Sequence, residues 1–279
     1  MKIESGEGFP VRYMIYHKDF LMFILSYCSL VQNTNKKFKL YVWDGGLTKE
    51  QKEIINKLFP GVTIEQMIAK GVTEKEVEKR YNAYINKPLM DIKFLIDKKF
   101  IGLDPDVIFY KEPIEIIDWI NNNDSTNLFI SDCYSAYMNN YENIFDSVVE
   151  KLNAGLLCLQ PNTLPKFETA LKFFEGRSTK NPDQTFYAYC LDHCDYSYKR
   201  LDKYKYKIFF CPFNELGKES KEWIKNNIQK EYEEHSKVLK EKNTVCFHFI
   251  NSGWEKLLSI ENGIAKIANP DEVKKDVNK

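Results

Sequence analysis

The sequence predicts an α/β fold with a mainly parallel central sheet flanked by helices. Short strand-like runs alternate with amphipathic segments of about 10 to 15 residues, the spacing of crossover units and not of hairpins. Turn-forming clusters, Asp44-Gly45-Gly46, Pro60-Gly61 and Asp104-Pro105-Asp106, stand where strand-like runs and helical segments end. A chain of 279 residues with 43% hydrophobic and 14% aromatic residues supplies enough apolar surface for one large core.

Residues 11–16 form the first apolar run, and Asp19 stands as N-cap of a helical segment reaching Leu30. Residues 38–43 read as a second strand, after which Thr48 caps a helix with Ile54, Ile55 and Leu58 on its apolar face. A third strand follows over 62–66. Residues 73–81 read as a charged surface helix, Pro88 as the start of another ending at Leu95, and residues 99–103 as a fourth strand. Further strands are expected over 127–131, 154–159, 206–210 and 244–249, with helices over 113–121, 166–174 and 184–191. Between 217 and 243, Ile224, Ile228 and Tyr232 mark one buried stripe on an otherwise solvated helix. Neither an internal repeat nor a flexible linker interrupts the pattern, so one domain is expected over 1–260, followed by a charged tail over 261–279.

Forty Lys and Arg against forty Asp and Glu leave a net charge of +0. Nothing in that balance provides the field that holds a polyanion, so nucleic acid is not an expected partner. The early apolar stretch at 20–31 is interrupted by Ser26, Tyr27 and Ser29 and reads as a core helix, neither a signal peptide nor a membrane span. Seven cysteines in a chain with no export signal read as free thiols, which places the protein in a reducing, cytoplasmic setting. Cys190, His193 and Cys194 lack the ligand count of a structural zinc site.

The chemistry concentrates at Asp104-Pro105-Asp106. Two carboxylates two residues apart, with apolar strand-like residues on either side, are held where the chain must turn at the end of a strand. All three residues also favour plain turns. A carboxylate pair in apolar surroundings needs compensation, which a divalent cation with oxygen ligands supplies. Open parallel sheets bind ligands beyond the carboxyl ends of their strands, which is also where Tyr16 and His17 end the first strand. Other residues have two readings each. His248 on an apolar strand serves equally as a core histidine or a metal ligand; Gly155 as a bulge or a point of close approach to a ligand; Asp183 and Gln184 as helix-start residues or site residues.

Four segments together resemble the nucleotide-sugar-dependent glycosyltransferases of the GT-A (Rossmann-like) fold, most closely family eight, the group of glycogenin and the lipopolysaccharide galactosyltransferases. Leu103-Asp104-Pro105-Asp106-Val107 is similar to that family's metal-binding D-x-D, and Asn153-Ala154-Gly155 to the segment lining the donor sugar. Asp183-Gln184 resembles the pair beneath the reacting carbon. His248-Phe249 with Gly253 and Lys256 resembles the segment whose His completes the metal site and whose Gly and Lys approach the diphosphate. Lys93 and Asp132 resemble a donor-facing Lys and a carboxylate for donor hydroxyls. The family usually follows the His with a tighter Gly and a Lys-Pro-Trp, whereas this chain carries Asn251-Ser252-Gly253-Trp254-Glu255-Lys256.

The resemblance implies a single GT-A domain with a helical C-terminal portion, acting as a glycosyltransferase. It would move a sugar from a nucleotide-diphosphate sugar, by likeness a UDP-sugar, to a saccharide, glycan or protein hydroxyl, with retention. Asp104, Asp106 and His248 would hold the cation. A nitrogen ligand favours Mn²⁺ over Mg²⁺. Two other readings stand beside it. A sugar-1-phosphate nucleotidyltransferase needs a Gly-rich loop after the first strand, and residues 11–19 hold no glycine. A noncatalytic nucleotide-sugar-binding relative has no need of the full metal triad.

Overall fold

The computed structural model describes residues 7–67, 80–122, 125–132, 149, 151–174, 182–209 and 243–249. Strand β1 (Phe9–Ile15) leads through a short 3₁₀ turn (His17–Asp19) to helix α1 (Phe20–Thr34), then β2 (Phe38–Asp44), α2 (Lys49–Leu58) and β3 (Thr63–Gln66). Helix α3 (Arg80–Leu95) precedes β4 (Phe100–Leu103), β5 (Val107–Phe109), α4 (Ile114–Asn121), β6 (Thr126–Ser131) and β7 (Leu152–Leu159). Helices α5 (Phe167–Phe174) and α6 (Pro182–His193) are followed by β8 (Ser197–Arg200), β9 (Tyr206–Phe209) and β10 (Cys246–Phe249).

The local rules hold where they are strong. Thr48 forms a capping box with Gln51: its hydroxyl accepts from the Gln51 amide at 3.2 Å, and the Gln51 side chain accepts from the Thr48 amide at 3.0 Å. Helix α1 ends where Asn35 turns left-handed, at φ 49°.

Seven strands lie in the order β3-β2-β1-β4-β7-β6-β8, and β5-β10-β9 form a smaller sheet. All neighbours in the large sheet are parallel except β7, which runs antiparallel to both β4 and β6. Successive side chains point to opposite faces. Val11, Tyr13 and Ile15 of β1 therefore join a core with α1, α2 and α4, while Met14 joins one with α3, α5 and α6. Helices cover both faces, as the strand and helix alternation predicts.

Two expectations change. Pro88 does not start a helix; it lies inside α3, which begins at Arg80. An interior proline costs roughly 3 kcal/mol. Burial of the continuous run 86–92 against α6 and the sheet opposes that cost. Strand β8 had no signal, because Ser197–Arg200 is a polar, largely exposed edge strand without apolar alternation. The helix expected over 217–243, most of that over 73–81 and the tail 261–279 lie outside the described residues. Cys28, Cys158, Cys190, Cys194 and Cys246 are free thiols. Among the described residues, no helix is long and apolar enough to cross a membrane.

Candidate active site

Strand β4 ends in the buried run Phe100–Leu103, and the chain turns at once, the Val107 amide donating to the Asp104 carbonyl at 3.2 Å. This turn carries Asp104 and Asp106 at the carboxyl edge of the parallel strands. The third group arrives from far along the chain. Strand β10 pairs antiparallel with β5, setting His248 opposite Val107, and the Phe249 amide donates to the Asp106 carbonyl at 2.8 Å. His248 Nε2 stands 3.1 Å from Asp106 Oδ1 and 3.9 Å from Asp104 Oδ2. One ligand atom from each of the three residues lies within 4.8 Å of the other two. Two hard carboxylate oxygens and one imidazole converging in this way fit a divalent cation such as Mn²⁺ or Mg²⁺. Burial opposes a charge on the His248 ring, but Asp106 and Asp104 outweigh it and raise its pKa.

The reversed strand β7 completes the edge. It enters the sheet beside the end of β4, and the Asp104 amide donates to the Gly155 carbonyl at 2.8 Å. Its pairing with β6 jumps from Phe129–Leu157 to Ile130–Asn153, so residues 154–156 have no partner in that ladder. Gly155 lies in this bulge, and a β-carbon there would collide with the His248 ring and with Asn153 Oδ1. Asn153 Oδ1 accepts from the Gly155 amide at 2.8 Å, and its Nδ2 donates to Asp132 Oδ2 at 3.0 Å. Gln184 Nε2 donates to the same Asp132 oxygen at 3.0 Å. Asp132 Oδ1 is buried and has no hydrogen-bond partner among the described residues. Burial raises the Asp132 carboxyl pKa even against these two donors.

Lys87 escaped the sequence reading. Its side chain is 2% exposed, and Nζ lies 2.6 Å from Asp104 Oδ1, 3.0 Å from the Ala154 carbonyl and 3.4 Å from Asp183 Oδ2. Burial lowers the pKa of this ammonium, yet Asp104 and Asp183 outweigh burial and raise it. Burial likewise pushes Asp104 up, but Lys87 and His248 hold it below the usual carboxyl value. Asp183 moves the other way: its burial dominates over Lys87 and raises it. One signal for Lys87 was present, a Lys and an Asp four residues apart, Lys87 and Asp91, with the apolar residues Pro88, Leu89 and Met90 between them.

The expected lysine, Lys93, is placed elsewhere. Six residues at about 100° each turn it to another face of α3. There it is exposed and lines a separate cavity of about 580 Å³ with Ile96 and Phe167. Tyr16 packs against Gly45 at the end of β1, its hydroxyl buried and without a partner among the described residues. His17 is exposed and turned to α2, its carbonyl accepting from Gln51 Nε2 at 2.9 Å. The structure thus brings together Asp104, Asp106, His248, Asn153, Ala154, Gly155, Asp132, Asp183 and Gln184, with Lys87 among them. Gly253 and Lys256 lie outside the described residues.

No protein-family model matches the sequence, nor does any curated protein. Solved structures do. A galactosyltransferase, LgtC, in complex with donor and acceptor sugar analogues, superposes with a TM-score of 0.57 at 11% identity, covering 93% of this chain and 98% of that one. The apo structure of a bifunctional glycosyltransferase, WbbM, gives 0.58 at 12% identity, with 96% of this chain matched to 51% of that one. Mouse xyloside xylosyltransferase 1, also apo, gives 0.50 at 12% identity over 87% of this chain and 97% of its own. The chain therefore has the GT-A fold of these structures and is similar in structure to LgtC.

Proposed function

We propose that the protein is a metal-dependent glycosyltransferase that moves a sugar from a nucleotide-diphosphate sugar to a hydroxyl acceptor. One observation carries this reading: Asp104, Asp106 and His248, from a turn and a distant strand, offer three ligand atoms within 4.8 Å of one another at the carboxyl edge of the sheet. Fold alone does not assign a reaction; the site does. UDP as the nucleotide and retention as the stereochemical course follow from the family resemblance, and so does the approach of Gly253 and Lys256 to the diphosphate. The free thiols Cys158, Cys190 and Cys246, all buried, are in keeping with a reducing, cytoplasmic compartment.

One oxygen each of Asp104 and Asp106 and Nε2 of His248 would hold a Mn²⁺ or Mg²⁺ ion. Such an ion, when bound, stabilises the negative charge that builds on a departing diphosphate. Lys87 adds a fixed positive charge beside that position, so the role expected of Lys93 passes to Lys87. Asn153 has both a donor and an acceptor for sugar hydroxyls. Asp132 keeps its buried Oδ1 for a donor hydroxyl, and Gln184 and Asn153 hold the other oxygen still. Asp183 and Gln184, at the start of α6, would lie under the sugar, and Tyr16, at the end of β1, would flank the base or ribose, the part expected also of His17, which instead turns to α2. The acceptor class is a saccharide, a glycan or a protein hydroxyl.

The test is release of nucleoside diphosphate from UDP-, GDP- and dTDP-sugars, with CMP-sugars as a monophosphate control, in the presence of Mn²⁺. Activity should vanish on chelation and return with metal, and Asp104→Ala or Asp106→Ala should lose at least about a hundredfold. Turnover that survives chelation, or full rates in either variant, would overturn the assignment. Tight donor binding with no turnover would favour a noncatalytic binding relative.

A further inference from the structure

Behind the candidate site lies a second polar cluster that the proposed reaction does not use. Asp91 on α3 is fully buried, and three donors reach its carboxylate: Arg12 Nη2 of β1 at 2.8 Å, Trp43 Nε1 of β2 at 2.7 Å and the Tyr187 hydroxyl of α6 at 2.5 Å. Arg12 is fully buried as well. It fits only because its register partner on β4 is Gly102, where a β-carbon would collide with the guanidinium.

A buried ion pair is a poor source of stability, since desolvation cancels much of its attraction and apolar residues of similar volume do as well or better. This one is poorer than most, because Arg12 Nε and Nη1 find no hydrogen-bond partner among the described residues. Its placement suggests another use. Asp91 follows Lys87 by four residues on α3, and Tyr187 follows Asp183 by four on α6, which puts each pair about one turn apart on one face. Two rungs therefore join the same two helices. Lys87 and Asp183 meet at 3.4 Å within the site, and Asp91 and Tyr187 meet at 2.5 Å one turn behind it. The rear rung is tied to β1 and β2 through Arg12 and Trp43, and the front rung to β7 through the Ala154 carbonyl. Arg12 also leans on Gly102, two residues before Asp104.

We propose that Arg12, Asp91 and Tyr187 are positioning residues that fix Lys87 against Asp104 and so set how readily Asp104 is released to a divalent cation. This rests on the donor-site reading above. Lys87 Nζ holds Asp104 Oδ1 at 2.6 Å, so an entering cation must share that carboxylate with an ammonium. Loosening the rear rung lets Lys87 drift from Asp104 and relieves the competition.

A double-mutant cycle tests this, with Mn²⁺ alone as the probe and electron paramagnetic resonance of free Mn²⁺ as the readout on the full chain. Tyr187→Phe keeps the ring and the Arg12–Asp91 pair while deleting the hydroxyl that donates to Asp91 and accepts from Arg12 Nη2 at 3.4 Å. It should tighten Mn²⁺ binding about threefold or more when Lys87 is present, and leave it unchanged in a Lys87→Met background, as residues acting through a shared partner do. Trp43→Phe, which deletes the donor to the other Asp91 oxygen, should show the same dependence on Lys87 and keeps the test available if one variant folds poorly. Equal shifts in both backgrounds, or none with Lys87 present, would overturn the positioning role and leave the donor-site reading standing. Failure of the native chain to bind Mn²⁺ would overturn both.

Discussion

Gly155 and Gly102 are glycines because another side chain occupies the place of their β-carbon, the His248 ring at one and the Arg12 guanidinium at the other. Gly155→Ala should therefore act on the metal site more than on the fold, pushing the imidazole away from Asp106. The expected result is a loss of Mn²⁺ affinity of about tenfold or more, measured calorimetrically, with the change in melting temperature small beside it. Unchanged affinity would show that the ring is not held by that contact. Asp104 and Asp106 stood out in the sequence because they sit at a strand end, where polar residues are informative, whereas Asn153 and Asp183 were drawn into the site by the family resemblance. Lys87 did not stand out. Pro88 suggested a helix start, which placed Lys87 outside the helix, and a single lysine carries little weight in a chain with 40 basic residues.

At the level of elements, the strongest patterns were the most readable. Thr48, which the sequence marks as the cap of α2, forms that cap, so Thr48→Ala should cost about 1 kcal/mol in chemical denaturation, and an effect within error would contradict the capping account. The reversal of β7 was beyond local reading, since a fully buried strand looks the same in either direction. That reversal is what sets Asn153–Gly155 next to Asp104. A separate tie secures the smaller sheet: Lys205 Nζ meets Glu115 Oε1 at 2.6 Å, and the Tyr206 hydroxyl donates to Oε2 at 2.9 Å. Burial would raise the Glu115 carboxyl, but the hydrogen bonds from Lys205 and Tyr206 bring it below its ordinary value. A carboxyl lowered in the folded state stabilises above its unfolded pKa, about 4.3, and loses that contribution as pH falls through the folded value. Glu115→Gln should lower the melting temperature by about 2 °C at pH 7, with the gap closing below about pH 4. A gap that persists unchanged at pH 3 would contradict this linkage.

Across the whole molecule, the site is a product of topology. Lys87, Asp104, Gly155, Asp183 and His248 come from α3, the β4–β5 turn, β7, α6 and β10, and no local pattern places them together. The alternation of strands and helices was enough to predict the layers, with helices on both faces of a mainly parallel sheet. The meeting of His248 with the acidic turn was expected only through the likeness of four short segments to a family, because sequence separation hides contacts made through sheet pairing. The pairing of β10 with β5 supplies the physical reason for that meeting. The most direct measurement is anomalous diffraction from crystals grown with Mn²⁺ and UDP. The account predicts one manganese peak bonded to an oxygen of Asp104, an oxygen of Asp106 and Nε2 of His248, with the diphosphate on its open side. A peak bonded elsewhere, or a nucleotide bound with those three side chains turned apart, would contradict it.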